Sequence, residues 1–375
     1  MKPDLQEPLL KKSDIIRLAS ALILWGLTEG LKLLFKAHPD WFFPAFRRFS
    51  GGFMKVLASA ASVVPFALWE YLICLGVLAA VVSLVWILIK KRRRILAWFT
   101  SLILIFAILF FYSAAVWSLN HYAPSLAEEM ALEKEGFTED ELYQAALFYT
   151  GKAAEYASLQ KRDENGRLDP SAMSFSEAAE LAGRSYETLT GKYDIFSCGS
   201  VKPVKYVTVF DRLIMYTGTS GIFVEFTGES TVPSGNEMID LPHTMCHEAA
   251  HRLGIASEED ANFAAFLACA SSDNALFLYS GYYQAFVHLY NKLAEVKPGK
   301  VQSLTQALSG NEGAELLFGD AGYTAEAYAK YDTPVKDAGQ KVNDISLKSY
   351  HVEQGVRSYG MVADDLIAWW KSNNQ

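Results

Sequence analysis

Residues 71–119 read YLICLGVLAAVVSLVWILIKKRRRILAWFTSLILIFAILFFYSAAVWSL. The first 19 positions and the last 25 carry no charge, whereas residues 90–94 between them are all lysine or arginine. A helix needs about 20 apolar residues to cross the hydrocarbon core of a membrane, where its backbone must satisfy its own hydrogen bonds. The stretch therefore predicts two membrane helices, at about 67–89 and 95–119, joined by a short cationic loop.

A third apolar stretch, at about residues 15–35, precedes these two. It carries Glu29 and Lys32 near its end, where long charged side chains can reach the membrane surface. Loops rich in lysine and arginine stay in the cytoplasm, and both the basic N-terminus and residues 90–94 fit this rule. We therefore expect a multi-pass membrane protein with a cytoplasmic N-terminus and with residues 121–375 outside the cytoplasm.

The composition of the 375-residue chain limits what it can be. With 51% hydrophobic and 20% charged residues, it is neither disordered nor of low complexity. A net charge of −8 argues against a nucleic-acid partner, which would require a basic face. The 4 cysteines are too scattered for a disulfide framework or a cysteine zinc ribbon.

The composition becomes that of a soluble domain after about residue 120. Residues 204–210 and 221–227 are rich in β-branched and aromatic residues, which favour strands. Most of the remaining sequence favours helices. We therefore predict a mainly α fold: residues 1–120 form a membrane domain with three transmembrane helices, and residues 121–375 form a mostly helical domain with a small β-sheet.

The sequence HEAAH, from His247 to His251, matches the HExxH motif. Pro242 suits a first helical turn and Gly254 suits the position just past a helix end, so the motif is predicted to lie on a short helix. Four residues apart on one helix face, His247 and His251 can both reach one zinc ion. Glu248 lies beside them, where it can take a proton from water activated by the metal.

A catalytic zinc site needs a third protein ligand. Ser257 stands where the metzincin pattern has its third histidine, so that class is excluded. Ser257 can instead cap a second helix that begins with three acids, Glu258, Glu259 and Asp260. Glu258 is the preferred ligand, with Asn262 one turn later as the residue that orients a histidine. The alternatives are Asp260, then Glu259, or three acids that only complement the helix dipole.

Residues 247–268, HEAAHRLGIASEEDANFAAFLA, resemble the HExxH and ExxA(N/D)xxA arrangement of gluzincin-type metallopeptidases. This group includes the membrane CAAX-processing family and the ImmA/IrrE-like family. The resemblance implies a zincin-like domain in which Glu258 is the third zinc ligand and Asn262 takes the supporting position.

A broader resemblance, to the bacterial family called domain of unknown function 3810, covers nearly the whole chain. Besides three N-terminal spans, the stretches that carry it are VWSLNHY (116–122), FTGESTV (226–232), EEDANFAAFLAC (258–269), LYSGYY (278–283) and EQGVRSYG (353–360). It implies a zinc metallopeptidase of the bacterial cell membrane and does not supply a substrate. This chain departs from the commonest pattern at Ser118 and His121, which leaves the zinc motif intact.

Several further residues are weaker candidates, each with core packing or a turn as the alternative role. The strand at 221–227 can bind an extended substrate along its edge, and Glu229 can bind a substrate terminus. Cys246 is expected to be a buried apolar residue, or else to form a disulfide with Cys269. Candidate donors to the oxyanion of a tetrahedral intermediate are Tyr279, Tyr282, Tyr283, Arg357 and Tyr359.

The leading hypothesis is a membrane-anchored zinc peptidase with one Zn²⁺ per chain. Its expected partners are the lipid bilayer and a peptide or protein substrate that is extracytoplasmic or juxtamembrane. Charged residues flank the motif helix, which argues against an intramembrane protease. The alternatives are a non-catalytic zinc-binding membrane protein with a sensory or structural role, and an interaction protein whose HExxH motif is accidental.

Overall fold

The computed structural model describes residues 10–91, 94–134, 136–196, 199, 201–350 and 361–374. In these residues the chain is mainly α-helical with one small sheet, which confirms the predicted fold class. Arg357 and Tyr359, two of the predicted donors, lie outside the described residues.

The N-terminal part contains the three predicted membrane helices. Its helices are α1 (Lys12–Ala37), α2 (Pro39–Phe42), α3 (Ala45–Ala61), α4 (Leu68–Lys90) and α5 (Ile95–Val116). Helices α1, α4 and α5 are long and apolar enough to cross a membrane. Helix α5 ends earlier than predicted and is followed by a 3₁₀ turn, Ser118–Tyr122. The Asn120 side chain donates to the Trp117 carbonyl at 2.8 Å in this turn and so competes with a continued helix.

The cationic segments lie at one end of the membrane helices. Helices α1 and α5 pack along each other, and Arg17 Nε near the start of α1 donates to Thr100 Oγ1 near the start of α5 at 2.9 Å. The lysines that open α1 therefore lie at the same end as the cationic turn between α4 and α5. The later helices follow from the opposite end of α5.

The C-terminal part is built mostly from helices. These are α6 (Leu126–Glu129), α7 (Glu139–Ala157), α8 (Phe175–Ser185), α9 (Glu187–Thr190), α10 (Asp211–Tyr216), α11 (Leu241–Arg252), α12 (Glu258–Ala270), α13 (Ala275–Val296), α14 (Pro298–Ala307), α15 (Glu312–Ala329), α16 (Pro334–Ser349) and α17 (Val362–Asn373). Short 3₁₀ turns occur at Pro170–Ala172 and Asp194–Phe196.

A small sheet packs against α11. Its strands are β1 (Lys205–Tyr206), β2 (Ile222–Val224) and β3 (Glu229–Val232), in the order β1-β3-β2. β3 pairs parallel with β1 and antiparallel with β2, so β2 is an edge strand. Ser230 Oγ donates to the Glu248 carbonyl at 2.6 Å, which fastens β3 to α11. The strands predicted at 204–210 and 221–227 are present as β1 and β2, both shorter than predicted, and β3 adds to them.

The main apolar core surrounds α11 and α12. It includes fully buried side chains from α7, α11, α12 and α13, among them Tyr149, Met245, Phe263 and Phe277. Burying a large apolar side chain contributes about 1.5–3 kcal/mol. This packing holds α11 on nearly every side, since 11 of its 12 residues are buried. The HExxH helix therefore has little freedom to move.

Two buried glutamates fasten the start of α4 to the sheet. Glu229 on β3 accepts the backbone N–H groups of Leu68 and Trp69, both at 3.0 Å, and pairs with Lys205 Nζ at 2.7 Å. Glu70 on α4 accepts four hydrogen bonds of 2.8–2.9 Å from residues 208–210. These carboxylates satisfy the free N–H groups at the start of α4 and the donors of a partly exposed turn.

Candidate metal centre

Helices α11 and α12 form a helix pair with a tight connection. Pro242 lies in the first turn of α11, as predicted. Gly254 ends the helix with φ +89°, a conformation that side-chain-bearing residues rarely adopt, and a Cβ there would lie 3.0 Å from Arg47 Cγ. Ser257 then caps α12 through the backbone N–H of Asp260. The connection brings the first turn of α12 next to the last two turns of α11.

Three side chains from these helices converge on one point. His247 Nε2 lies 3.1 Å from His251 Nε2 and 3.1 Å from Glu258 Oε2, and His251 Nε2 lies 3.8 Å from that oxygen. Ligand atoms bound to a tetrahedral zinc ion at about 2.0–2.1 Å lie about 3.3 Å apart. The spacing and the chemistry of these donors therefore fit a divalent metal ion, and in the described residues they form a candidate metal-binding group.

The other nitrogen of each ring is held by a neighbouring oxygen. His247 Nδ1 lies 3.1 Å from Asn262 Oδ1, and His251 Nδ1 lies 2.7 Å from the Ile255 carbonyl. Because an oxygen acceptor favours the proton on Nδ1, both Nε2 lone pairs are directed towards Glu258. Asn262 is itself fixed, since its Nδ2 donates to the Glu258 carbonyl at 2.9 Å. It therefore has the supporting position that the sequence predicts for it.

Electrostatics couple the three donors. Burial works to lower the pKa of His247, but the hydrogen bond and charge of Glu258 outweigh it and raise this pKa. Burial also works to raise the pKa of Glu258, but His247 and His251 lower it to about 2. The pKa of His251 falls to about 4, chiefly through burial. In the metal-free protein, Glu258 is therefore ionised and His247 is the imidazole that most readily holds a proton.

Glu248 lies beside this group with a free acceptor. Its side chain is buried, and its Oε2 has no hydrogen-bond partner in the part of the chain that the structure describes. A Cβ added to Gly221 would lie 2.4 Å from Glu248 Oε1, so the carboxylate packs directly against the start of β2. Burial raises the pKa of Glu248 to about 8. A bound cation would lower this pKa, because positive charge favours the carboxylate.

The two alternative third ligands are used elsewhere. Asp260 Oδ1 accepts the backbone N–H of Leu126 at 2.8 Å and so holds the start of α6. Glu259 Oε1 pairs with Lys134 Nζ at 2.9 Å. Of the three acids at the start of α12, only Glu258 joins the two histidines in the candidate group.

Two residues after the third span complete the surroundings of the histidines. Trp117 Nε1 donates to the His251 carbonyl at 2.9 Å, and the Trp117 ring contacts the rings of both His121 and His251. His121 also stacks on Tyr350 at 4.8 Å. Burial lowers the pKa of His121 to about 4, and Glu258 and His251 are close enough to influence it. Among the described residues its Nδ1 has no hydrogen-bond partner.

Sequence reasoning did not identify His121, Trp117 or Gly221 as parts of this site. His121 was visible only as a departure from a family pattern, and Trp117 only as part of a shared stretch. More than 25 positions of the chain separate Gly221 from Glu248, and nothing in the local pattern around the glycine indicates that contact.

The predicted donors on α13 lie in the core instead of at the metal group. Tyr279 OH donates to Asp320 Oδ2 at 2.5 Å. Tyr282 packs among aromatic rings that include Tyr156, and Tyr283 packs against Tyr279. Tyr279 and Tyr283 are buried and Tyr282 is half-buried, and these contacts fit the alternative role of core packing.

Two other candidate residues, Glu229 and Cys246, also contact parts of the fold outside the metal group. Both oxygens of Glu229 are engaged at the start of α4, as described above. Cys246 and Cys269 are buried free thiols with their Sγ atoms 3.8 Å apart, where Cys269 donates to Cys246. Cys246 therefore has the apolar burial predicted for it and is not part of a disulfide.

A sequence model of one family, described as protein of unknown function (DUF3810), matches residues 47–367. This range covers most of the chain, from α3 to α17. The chain belongs to this family. The match confirms the broader resemblance seen in the sequence. The matched residues include the second and third spans and the whole candidate metal centre. No curated protein and no solved structure matches the chain.

Proposed function

We propose that this protein is a membrane-anchored zinc peptidase whose active site lies outside the cytoplasm. One observation carries the proposal. A buried glutamate, one of whose oxygens has no hydrogen-bond partner among the described residues, stands beside three donor atoms that all lie within 4.8 Å of one another. A site that only stabilises the fold needs no such acceptor, because structural zinc sites are closed by protein ligands.

His247, His251 and Glu258 would hold the metal ion. Two imidazoles and a carboxylate suit zinc, although the same trio holds iron in some oxygenases. The glutamate directly after the first histidine is the arrangement found in zinc peptidases. A bound zinc ion supplies a Lewis acid that polarises a carbonyl group and makes water acidic near neutral pH.

Glu248 acts as the general base and then as the general acid. It accepts a proton from water as the water oxygen bonds to the amide carbon, and it returns that proton to the amine nitrogen when the C–N bond breaks. Its contact with Gly221 fixes the carboxylate beside the edge strand β2. An extended peptide that pairs with β2 would therefore pass the base.

His121 is the best-placed donor to the developing oxyanion. Its ring is held between Trp117 and Tyr350, and its low pKa keeps it neutral at pH 7, with one N–H to donate. Replacing it with phenylalanine keeps the ring contacts and removes the donor. We expect His121→Phe to retain the metal and to lower kcat about 10²–10³-fold, as loss of an oxyanion donor does.

The test measures metal content and cleavage on the full-length protein purified in detergent without chelator. Metals are quantified by mass spectrometry, and activity is measured on a peptide mixture of degenerate sequence. We expect about one zinc ion per chain in the parent protein and in Glu248→Gln, but not in His247→Ala or Glu258→Ala. Glu259→Ala is the matched control, because its carboxylate lies beside Glu258 in sequence and pairs with a lysine outside the group.

Cleavage separates a catalytic site from a structural one. Loss of a general base lowers the rate about 10²–10⁴-fold, so Glu248→Gln should keep zinc and lose turnover. Products formed equally by the parent and by Glu248→Gln, or by neither, would indicate a non-catalytic zinc site. Iron in place of zinc would contradict the peptidase assignment, and absence of any metal would make the motif accidental.

A further inference from the structure

The candidate site is attached directly to the end of a membrane helix. Trp117 is the first residue after α5, and its indole N–H donates to the carbonyl of the ligand residue His251 at 2.9 Å. A second connection starts from α1, where Lys32 lies over the Tyr350 ring, which stacks on His121. Two of the three spans therefore reach the surroundings of the metal ligands through one or two side chains.

The edge strand is also placed between two membrane helices. Ile222 and Val224 pack in a cluster with Ala67 and Trp69 at the start of α4. From the same strand, Phe223 contacts the Trp117 ring just beyond α5. Immediately after the strand, Glu225 accepts a hydrogen bond from Ser113 of α5 at 2.9 Å, and Phe226 stacks on Tyr112. A peptide paired with β2 would thus run beside the helix ends.

Helices α4 and α5 separate towards this strand. They meet near the cationic turn, where Trp98 Nε1 donates to Ser83 Oγ at 2.9 Å. At the opposite end β2 lies between them, and none of the apolar window of α4 is buried within the chain. The apolar window of α4 is therefore free to contact lipid.

Helix α3 packs against α11 and leaves one side exposed. One face is fastened to the helical domain, since Arg47 pairs with Glu129 and Ser50 bonds the Asn120 side chain. The exposed side carries the apolar residues Phe49, 51% exposed, and Val56, 66% exposed, next to the exposed cations Arg48 and Lys55. A helix that is fixed to a polar domain on one side and carries apolar and cationic residues on the other fits the plane of a membrane interface.

We propose that the substrates of this site are peptides anchored in the same bilayer and cut close to the point where they leave it. This inference rests on the proposed peptidase function. The polar headgroup layer is about 5–8 Å thick on each side, and an extended chain advances about 3.3 Å per residue. An extended peptide therefore crosses that layer in about two residues. An anchor also raises the effective concentration of the peptide at the site.

The experiment uses the full-length protein in lipid vesicles and one degenerate peptide mixture in two forms. The first form is fused to an anchoring helix of about 20 leucines, and the second is free in solution. Cleavage positions are mapped by mass spectrometry, with Glu248→Gln as the background. We expect the anchored form to be cut at least 10-fold faster, with most cuts within about eight residues of the anchor.

The position of the cuts shows whether faster cleavage comes from a site held at the membrane surface or only from a higher local concentration of the anchored peptide. An anchored peptide concentrated at a site that is free of the membrane would be cut at any distance, so an even spread of cuts would overturn the inference. Equal cleavage of the free peptide would also overturn it and leave the peptidase function intact. No cleavage of either form above the Glu248→Gln background would contradict the peptidase function itself.

Fluorescence quenching, which does not depend on activity, measures how close β2 lies to the membrane surface. Phe226→Cys, with Cys74 and Cys198 replaced by serine, is labelled with a fluorophore in vesicles that contain nitroxide-labelled lipid headgroups. Leu159→Cys is the control, because it follows α7, which packs against other domain helices. We expect at least 3-fold stronger quenching at position 226 than at position 159. Equal quenching would place β2 away from the membrane surface and overturn the inference.

Discussion

Replacing Asn262 with alanine should weaken zinc binding by about 10- to 100-fold, the usual effect of losing a side chain that supports a metal ligand. The residue makes two contacts at the site. Its Oδ1 accepts from His247 Nδ1 at 3.1 Å, and its Nδ2 donates to the Glu258 carbonyl at 2.9 Å. Alanine removes the acceptor that fixes the His247 ring with its other nitrogen facing the metal position. The expected loss corresponds to about 1.4–2.7 kcal/mol of binding free energy.

The assay is competition for zinc between the purified protein in detergent and a chelating dye of known affinity. Asn262→Asp is the partial-rescue variant, since it keeps an oxygen that accepts from His247 but lacks the N–H that Asn262 donates to the Glu258 carbonyl. It should bind zinc more tightly than Asn262→Ala and no more tightly than the parent. Asn311→Ala serves as the control, because that side chain caps α15 away from the site and its loss affects stability without affecting a metal ligand.

The thermal midpoint of each metal-free variant shows whether a change in affinity reflects unfolding. A parental zinc affinity in Asn262→Ala would refute the reasoning that this hydrogen bond positions His247. Equal loss of affinity in Asn262→Ala and Asn262→Asp, with folding intact, would also refute it, because only the aspartate variant keeps the acceptor for His247.

Three other predictions follow from the same site and its supports. Gly221→Ala places a Cβ 2.4 Å from Glu248 Oε1. The carboxylate must shift by about 1 Å, which should lower kcat about 100-fold and leave zinc affinity unchanged. Gly151→Ala is the neutral control, because the space around its Cβ is open. Zinc affinity measured against pH should rise by about tenfold or more per unit and level off only above about pH 8, because the metal displaces a proton from His247 and also lowers the pKa of Glu248, which is about 8 without it; a flat profile would contradict this. Glu70→Ala removes a buried carboxylate that accepts four hydrogen bonds from partly exposed donors and should lower the unfolding free energy by about 1–3 kcal/mol in denaturant titration, whereas an unchanged midpoint would show that water replaces the carboxylate.

The features that could be predicted from the sequence depend on residues close together in the chain. The spans follow from unbroken runs of apolar residues, since a helix in lipid satisfies its own backbone. The HExxH helix, its Gly254 end and the Ser257 cap follow from patterns within one or two turns. Glu258 and Asn262 belong to the same category, because an i and i+4 spacing places them on one helix face.

The sequence by itself therefore determined a mainly helical membrane protein and the residues able to hold a metal ion. Only the tertiary structure decided which side chains surround that group, because contacts such as Gly221 with Glu248 and Trp117 with His251 arise from packing between distant segments. The same holds for Glu229, which caps α4 across 160 residues of chain, and for β3, whose pairing partners lie in other segments. Pairing between distant segments leaves no periodic pattern in the local sequence. Such contacts can therefore be seen only in the folded structure.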